Sequence, residues 1–336
     1  MSYRAFSLIP ASQLVAGAAL VALLGCSNNA EADVEPLETN QGKLVEQAVI
    51  GYVAPPFQAD PPLRVNPEGE VTSVPGTGSI TYNYRTGDSA VDMAGDHVEP
   101  AVSIHNLGRD GSPSSPENRA LNVLSQVGNE ARIVDAQLGD NIEGATGRVI
   151  GKHGGIEHVM VEFPDEVYED LVIGDRMQIR AVGHGLEATN VEDVHIRNVS
   201  PDLVDALTEQ GMGVTENGAL RIPVAREIPA KIMGSGLGRN HVFTGDYDIQ
   251  MFDEEVNERY GLDELRFGDI VAITDADNKF GRIYRGGAIT VGVVVHGISN
   301  VAGHGPGVTA LFTSPSGNIE VSEDRDMNLD ALFNLR

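Results

Sequence analysis

The sequence is poor in cysteine, in lysine and, beyond its N-terminus, in long apolar runs. Its one cysteine is Cys26, so no intrachain disulfide can form. Once that residue is committed elsewhere, the body also has no thiol for nucleophilic or metal chemistry. Lysine occurs at only four positions, Lys43, Lys152, Lys231 and Lys279, among 23 basic residues set against 49 acidic ones. The formal charge of −26 excludes nucleic acid as a partner, because affinity for phosphate backbones rests on Lys and Arg contacts. It also opposes anionic lipid heads. Acid excess with scarce lysine is the surface of a protein in a salty medium, where ions screen self-repulsion. No Gly-x-Ser-x-Gly elbow is present, so an α/β-hydrolase mechanism finds no support.

The one long apolar run lies near the start, from Leu14 to Leu24, after a positive charge at Arg4. It falls short of the ~20 residues needed to span a bilayer. It ends in Leu23-Leu24-Gly25-Cys26, which resembles a lipobox. A charged start, a short apolar core and small residues at the cut are the pattern of a secretory signal. The expectation is a signal peptide over 1–25, lipidation of Cys26, and an acidic tether over 26–45 with Glu31, Asp33, Glu35 and Glu38. The lipid would be the membrane partner. The place of work would be the cell envelope, at the outer membrane if the host is Gram-negative.

The remaining length suits one large or two moderate domains. Residues 54–78 are rich in Pro and Gly and read as an irregular arm around the body. From residue 79 the pattern is mostly β. Ile80-Thr81-Tyr82-Asn83-Tyr84 alternates, and the segments 147–152 and 156–163 flank His153-Gly154-Gly155 as a hairpin. A further strand lies within 170–182. Three short helices are expected after Ser115-Pro116, Ser200-Pro201 and Asp253, each with a capping residue at its start. The runs Ile270–Ile273 and Thr290–Val295 are nearly uninterrupted and predict central strands buried on both faces. The fold class is therefore β-rich α+β: two β-barrel-like or sandwich-like halves with three short helices. The halves are assigned to 46–225 and 226–336, divided near Pro223 and Pro229.

Several long segments are specific enough to compare with known families. They include Pro75–Asn83, Gly95-Asp96-His97-Val98-Glu99-Pro100, Gly151–His158, Pro229–Gly238, Gly245-Asp246-Tyr247-Asp248-Ile249-Gln250 and Ala302-Gly303-His304-Gly305-Pro306-Gly307. Together they resemble the bacterial and archaeal family catalogued as domain of unknown function 4438, over roughly residues 70–315. The resemblance implies a β-rich fold and no established activity. The lipobox and tether lie outside it and look like an added export module.

Candidate chemistry gathers in glycine-rich turns. Asp96-His97-Val98-Glu99 places two carboxylates and an imidazole within four residues. On an extended segment His97 and Glu99 would share a face, with His105 nearby. Ligation and acid–base work both suit such a group, and so does a polar loop satisfying its own backbone. His153 and His158 bracket a glycine turn and read as a structural hairpin. No His-Glu-x-x-His helix is present. The run Gly234–Gly238 could cradle an anion but lacks the phosphate-loop ending. Asp275 and Asp277 read first as a turn and second as a weak calcium site. His296 ends a buried strand, and His304 sits between glycines, where loops on a rigid sheet often carry function. The expected catalytic group is His97, Glu99, His296 and His304, with Asp96, His97, Asp246 and Asp248 as ligands of a divalent metal. The leading reading is a metal-assisted hydrolase or lyase on a small polar substrate. A non-catalytic ligand-binding lipoprotein and an assembly protein forming a homo-oligomer are the alternatives.

Overall fold

The computed structural model describes residues 34–56, 63–236 and 241–336. The signal segment, Cys26 and the first part of the expected tether lie outside them. The first strands are β1 (Gln47–Val53), the short pair β2 (Arg64–Val65) and β3 (Val71–Thr72), and β4 (Val102–His105). Helix α1 (Pro116–Leu124) follows, then β5 (Glu130–Asp135), β6 (Thr146–His153), β7 (His158–Glu162) and β8 (Arg176–Ala181). Strands β1, β4, β7, β6, β5 and β8 close, in that order, into an antiparallel barrel. Period-two burial shows why these residues can line it. Val49, Gly51 and Val53 of β1 and Met177, Ile179 and Ala181 of β8 are the buried or inward positions, while their neighbours are more exposed.

The second half follows as β9 (His195–Ile196), α2 (Pro201–Glu209), β10 (Gly213–Val214), β11 (Leu220–Val224), β12 (Arg226–Pro229) and β13 (Tyr247–Asp248). Then come α3 (Glu254–Tyr260), β14 (Ile270–Asp277), β15 (Ile283–His296), β16 (Gly307–Ser314), β17 (Ile319–Glu323) and α4 (Leu329–Phe333). Strands β12, β14, β15, β16 and β13 form one sheet with β9 attached to β16, and β10, β11 and β17 form another. The apolar runs of β14 and β15 are buried on both faces, as expected. Ile270, Ala272, Val291, Val293 and Val295 join the core shared with the barrel. Val271, Ile273 and Val294 point the other way, into a second core with Ile228, Tyr247, Phe267 and Val308. Each such Val, Ile or Phe side chain contributes roughly 1.5–3 kcal/mol by leaving water.

Helices α1, α2 and α3 begin where expected, with Ser115, Ser200 and Asp253 accepting the first free backbone N–H groups. Gly261 ends α3 in the left-handed region at φ 63°. Helix α4, capped by Asn328, is a fourth that the sequence pattern did not announce. Two expectations need correction. Residues 80–84 form no strand; Ile80 makes a lone bridge to Val102 at the start of β4, and the backbone bonds around it (Ser103 N to Ser79 O, Thr81 N to Ala101 O, Ala101 N to Tyr84 O) do not extend into a ladder. The described part of the acidic tether is not free. Glu35 exchanges backbone hydrogen bonds with Val214, Asn40 binds Gly185 and Glu187, and Leu37 is buried. Among the described residues, no helix is long and apolar enough to cross a membrane.

Candidate metal centre

The site lies where the tip of the β6–β7 hairpin meets the ends of β13, β15 and β16. Register assembles it. Gly307 at the start of β16 pairs with His296 on one side and Asp248 on the other. A Cβ at Gly307 would overlap His296 Nε2 and Asp246 Oδ2, so the glycine leaves the space in which these atoms converge. The loop at 95–99 is laid against this edge by backbone bonds from His97 N to Ile298 O (3.0 Å) and Gly297 N to Val98 O (2.9 Å).

His97 takes φ 54°, uncommon for a non-glycine residue. The segment is therefore not extended, and the expectation that His97 and Glu99 share a face is corrected: His97 turns to His304 and Asp248, whereas Glu99 binds His153 and His158. Asp96 Oδ1 sits 2.5 Å from His97 Nδ1, and its other oxygen accepts Asn300 N at 2.9 Å. That grip turns His97 Nε2 towards His304 Nδ1 (3.1 Å) and Asp248 Oδ2 (3.8 Å). His304 Nδ1 is 2.9 Å from the same Asp248 oxygen. His97, Asp248 and His304 thus form one set of candidate ligands whose donor atoms lie within 4.8 Å of one another.

A second set is His153, Asp246 and His296, all buried. His296 Nε2 is 2.8 Å from Asp246 Oδ2 and 3.4 Å from Asp248 Oδ1. Glu99 takes His153 Nδ1 at 2.6 Å, which leaves Nε2 as the nitrogen for a cation. The His153 and His296 rings stack with centroids 4.2 Å apart, and His97 lies 5.1 Å from His296. Asp248 therefore offers one oxygen to each set.

Burial and neighbouring charges shift the groups of the site in both directions. Burial disfavours the Asp248 carboxylate, yet hydrogen bonds from His296 and His304 hold its pKa far below the usual range. Burial likewise disfavours the His296 imidazolium, but Asp246 and Asp248 raise its pKa well above that of a free histidine. His97 goes the other way, lowered by burial despite Asp96. Buried Glu99 is held well below its ordinary value by His158 and His153, against the cost of desolvation.

The sequence-predicted residues thus divide into three groups. His97, Asp248, His304, Asp246 and His296 converge. Asp96 and Glu99, expected as a ligand and a catalytic group, stand behind them, each orienting a histidine: Asp96 meets His97 Nδ1 and accepts Asn300 N, and the Glu99 oxygens meet His153, His158 and Ser103 Oγ. His105 lies apart, its ring 5.7 Å from His158, which itself binds Glu99 at 2.9 Å. His153 was read as structural and belongs to the site. The signal was faint: its strand position beside Gly154 says nothing of the carboxylates that the second half brings to it. Gly154 N donates to Asp246 Oδ1, and Ser235 Oγ donates to Asp248 Oδ2 at 3.0 Å, so the described part of the 234–238 run supports a ligand. Residues 237–240 lie outside the described ones. Asp275 and Asp277, expected in a turn, lie instead in β14, Asp275 at a bulge with φ 61°; they accept Gly287 N and Lys279 N, and Asp277 also pairs with Arg285.

A cavity of about 380 Å³ opens onto both sets, with His97, His153, Asp246, Asp248 and His304 in its wall. A larger one of about 1110 Å³, lined by Tyr82, Met93, Leu138, Leu171 and Ile173 among others, has no carboxylate, imidazole or cationic side chain in its wall among the described residues. The smaller cavity is the one with chemistry.

Fold and site together define a β-rich protein with a buried histidine–carboxylate centre between a barrel and a sheet. The chain belongs to the family described as Domain of unknown function (DUF4438): the N-terminal family model matches residues 63–205 and the C-terminal one residues 211–333. It is similar to a solved structure described as "Crystal structure of TM1086", at 39% identity and a TM-score of 0.79, over 88% of this chain and 99% of that one. No curated protein matches it.

Proposed function

We propose that the protein is a metal-dependent hydrolase that works on a small polar substrate with two divalent cations. The observation that carries this reading is that two three-residue sets of candidate ligands, His97–Asp248–His304 and His153–Asp246–His296, lie side by side, with the second oxygen of Asp248 3.4 Å from His296 Nε2. Four imidazoles with two carboxylates suit zinc, iron or nickel better than magnesium or calcium, which prefer oxygen. Cations held by His97, Asp248, His304, His153, Asp246 and His296 would supply a water activated near neutral pH and would polarise the bond to be cleaved. The chain's own part is to hold the ligands still. Asp96 and Glu99 each anchor a histidine Nδ1, fixing which nitrogen faces the cations. Gly154 N and Ser235 Oγ fix the two aspartates. The walls of the cavity confine the substrate against them.

Elemental analysis of purified protein tests the reading. Two transition-metal ions per chain are expected, with loss of hydrolysis of small amides, lactones or phosphoesters on chelation and recovery on metal return. A chain that takes up no metal at micromolar concentrations would sink it.

The lipobox-like Leu23-Leu24-Gly25-Cys26 supports a second part of the proposal, export and lipid attachment at Cys26 in the cell envelope. Palmitate labelling of wild type and Cys26→Ala checks it: label and membrane fractionation should both be lost in the variant, and a labelled variant would refute the assignment.

A further inference from the structure

Arg64 stands in the wall of the same cavity as both ligand sets. It is half-buried on β2, held there by backbone pairing with Thr72 on β3. Among the described residues its guanidinium makes no hydrogen bond and no ion pair, in a chain where acids outnumber bases two to one. Its field reaches Asp96, whose carboxyl it helps to lower, though less than burial, His97 and Asn300 act on it. Three other polar groups of the wall are engaged: Gly154 N by Asp246, Gly155 N by Glu157 and Ser235 Oγ by Asp248.

A free guanidinium facing a centre built for cations is repelled by what that centre binds. The arrangement becomes favourable when an anion lies between them. Guanidinium offers a planar fork that matches carboxylate or phosphoryl oxygens with two parallel hydrogen bonds. The cavity volume is near the lower end of the range for small-molecule sites, about 300–1,000 Å³. Resting on the two-cation reading of the centre, we propose that the substrate is a small organic anion. Its carboxylate or phosphoryl group is gripped by Arg64, and its scissile bond lies over the cations. Arg64 is thus the residue that selects for negative charge.

The test is calorimetric titration of the metal-loaded full chain with inorganic phosphate, malonate and the neutral acetamide, for wild type, Arg64→Ala and Arg64→Lys. Metal content is measured on each sample. Wild type should bind phosphate or malonate at least tenfold more tightly than acetamide. Arg64→Ala should lose roughly tenfold or more of that affinity with its metal content unchanged, and Arg64→Lys should recover part of it, since it keeps the charge without the fork. Undiminished anion binding by Arg64→Ala, acetamide bound as tightly as the anions, or no anion binding by wild type overturns the proposal. If the chain holds no metal, the hydrolase reading falls by itself. Anion binding that still depends on Arg64 would then uphold the Arg64 assignment, and its absence would overturn that too.

Discussion

Two buried polar clusters in this molecule are built on opposite rules. Around Glu162 every charge is answered locally. Arg85 donates from Nε to Glu162 and from Nη2 to Phe163 O, and its guanidinium stacks 3.6 Å above the Tyr168 ring. Glu162 also accepts from Thr86 N (2.9 Å), Thr86 Oγ1 (2.8 Å) and Tyr168 OH (2.8 Å). Burial and the Glu162 charge keep the Tyr168 phenol protonated, with its pKa well above the ordinary value. Around Asp248, by contrast, lone pairs from imidazoles and carboxylates point at one another, and a proton on His296 is the main positive charge available. The first cluster is complete as a fold element. The second, on the two-cation reading of the site, would be completed by cations. A buried polar group marks a site when its donors and acceptors converge without balancing.

The comparison can be broken most forcefully at Glu162. Glu162→Ala leaves Arg85 as an uncompensated buried charge and should lower unfolding free energy by about 3–5 kcal/mol in urea titrations, with metal content intact. A loss below about 1 kcal/mol would remove Glu162 from the structural class. At the other cluster, Asp248→Asn should reduce bound metal from two ions to at most one. It should also remove the share of stability that the lost ion contributes, about 2.7 kcal/mol where free metal is a hundred times Kd. Thermal melts with and without chelator read this directly: the shift caused by chelator should be smaller for Asp248→Asn than for wild type, and an equal shift would count against Asp248 as a ligand. Glu99→Gln acts through His153 and should weaken metal binding by about 10–100-fold without removing a ligand. An affinity unchanged in competition with a chelating dye would make Glu99 a packing residue only.

The smallest expected effect is on pH dependence. Burial, and then the neighbouring His158, lower the His105 pKa to about 4, from an ordinary 6.5. The unfolded chain therefore takes up a proton here before the folded one does. The stability this gives is present above pH 6.5 and is lost as pH falls towards 4. His105→Gln should flatten that part of the stability–pH curve, measured by denaturation at each pH. The formal charge of −26 further predicts that stability rises with added salt.

Much of the framework was legible along the chain. The caps at Ser115, Ser200 and Asp253 act locally, so their helices could be read from a few neighbours. The buried strands β14 and β15 betrayed themselves by unbroken apolar runs, and the β6–β7 hairpin by its glycine turn. The strand expected at 80–84 fails because alternation describes what could pair, and only a partner edge decides whether it does. Five of the six candidate ligands were recognised as chemistry-bearing residues: His97, Asp246, Asp248, His296 and His304. Their division into two sets was not legible, nor was His153's membership, because their partners lie up to 207 residues apart along the chain.

The sequence by itself determined the β-rich class, the capped helices, the acidic surface and a small group of histidines and aspartates beside glycines. Each of these follows from short-range preference or from composition. Tertiary structure alone decided that β13, β15 and β16 come into register at Gly307. That register brings carboxylates and imidazoles from both halves to one cavity, with Arg64 in its wall. Convergence of this kind depends on long-range strand pairing and on the absence of one side chain at the crossing point, and neither leaves a periodic trace in the order of residues.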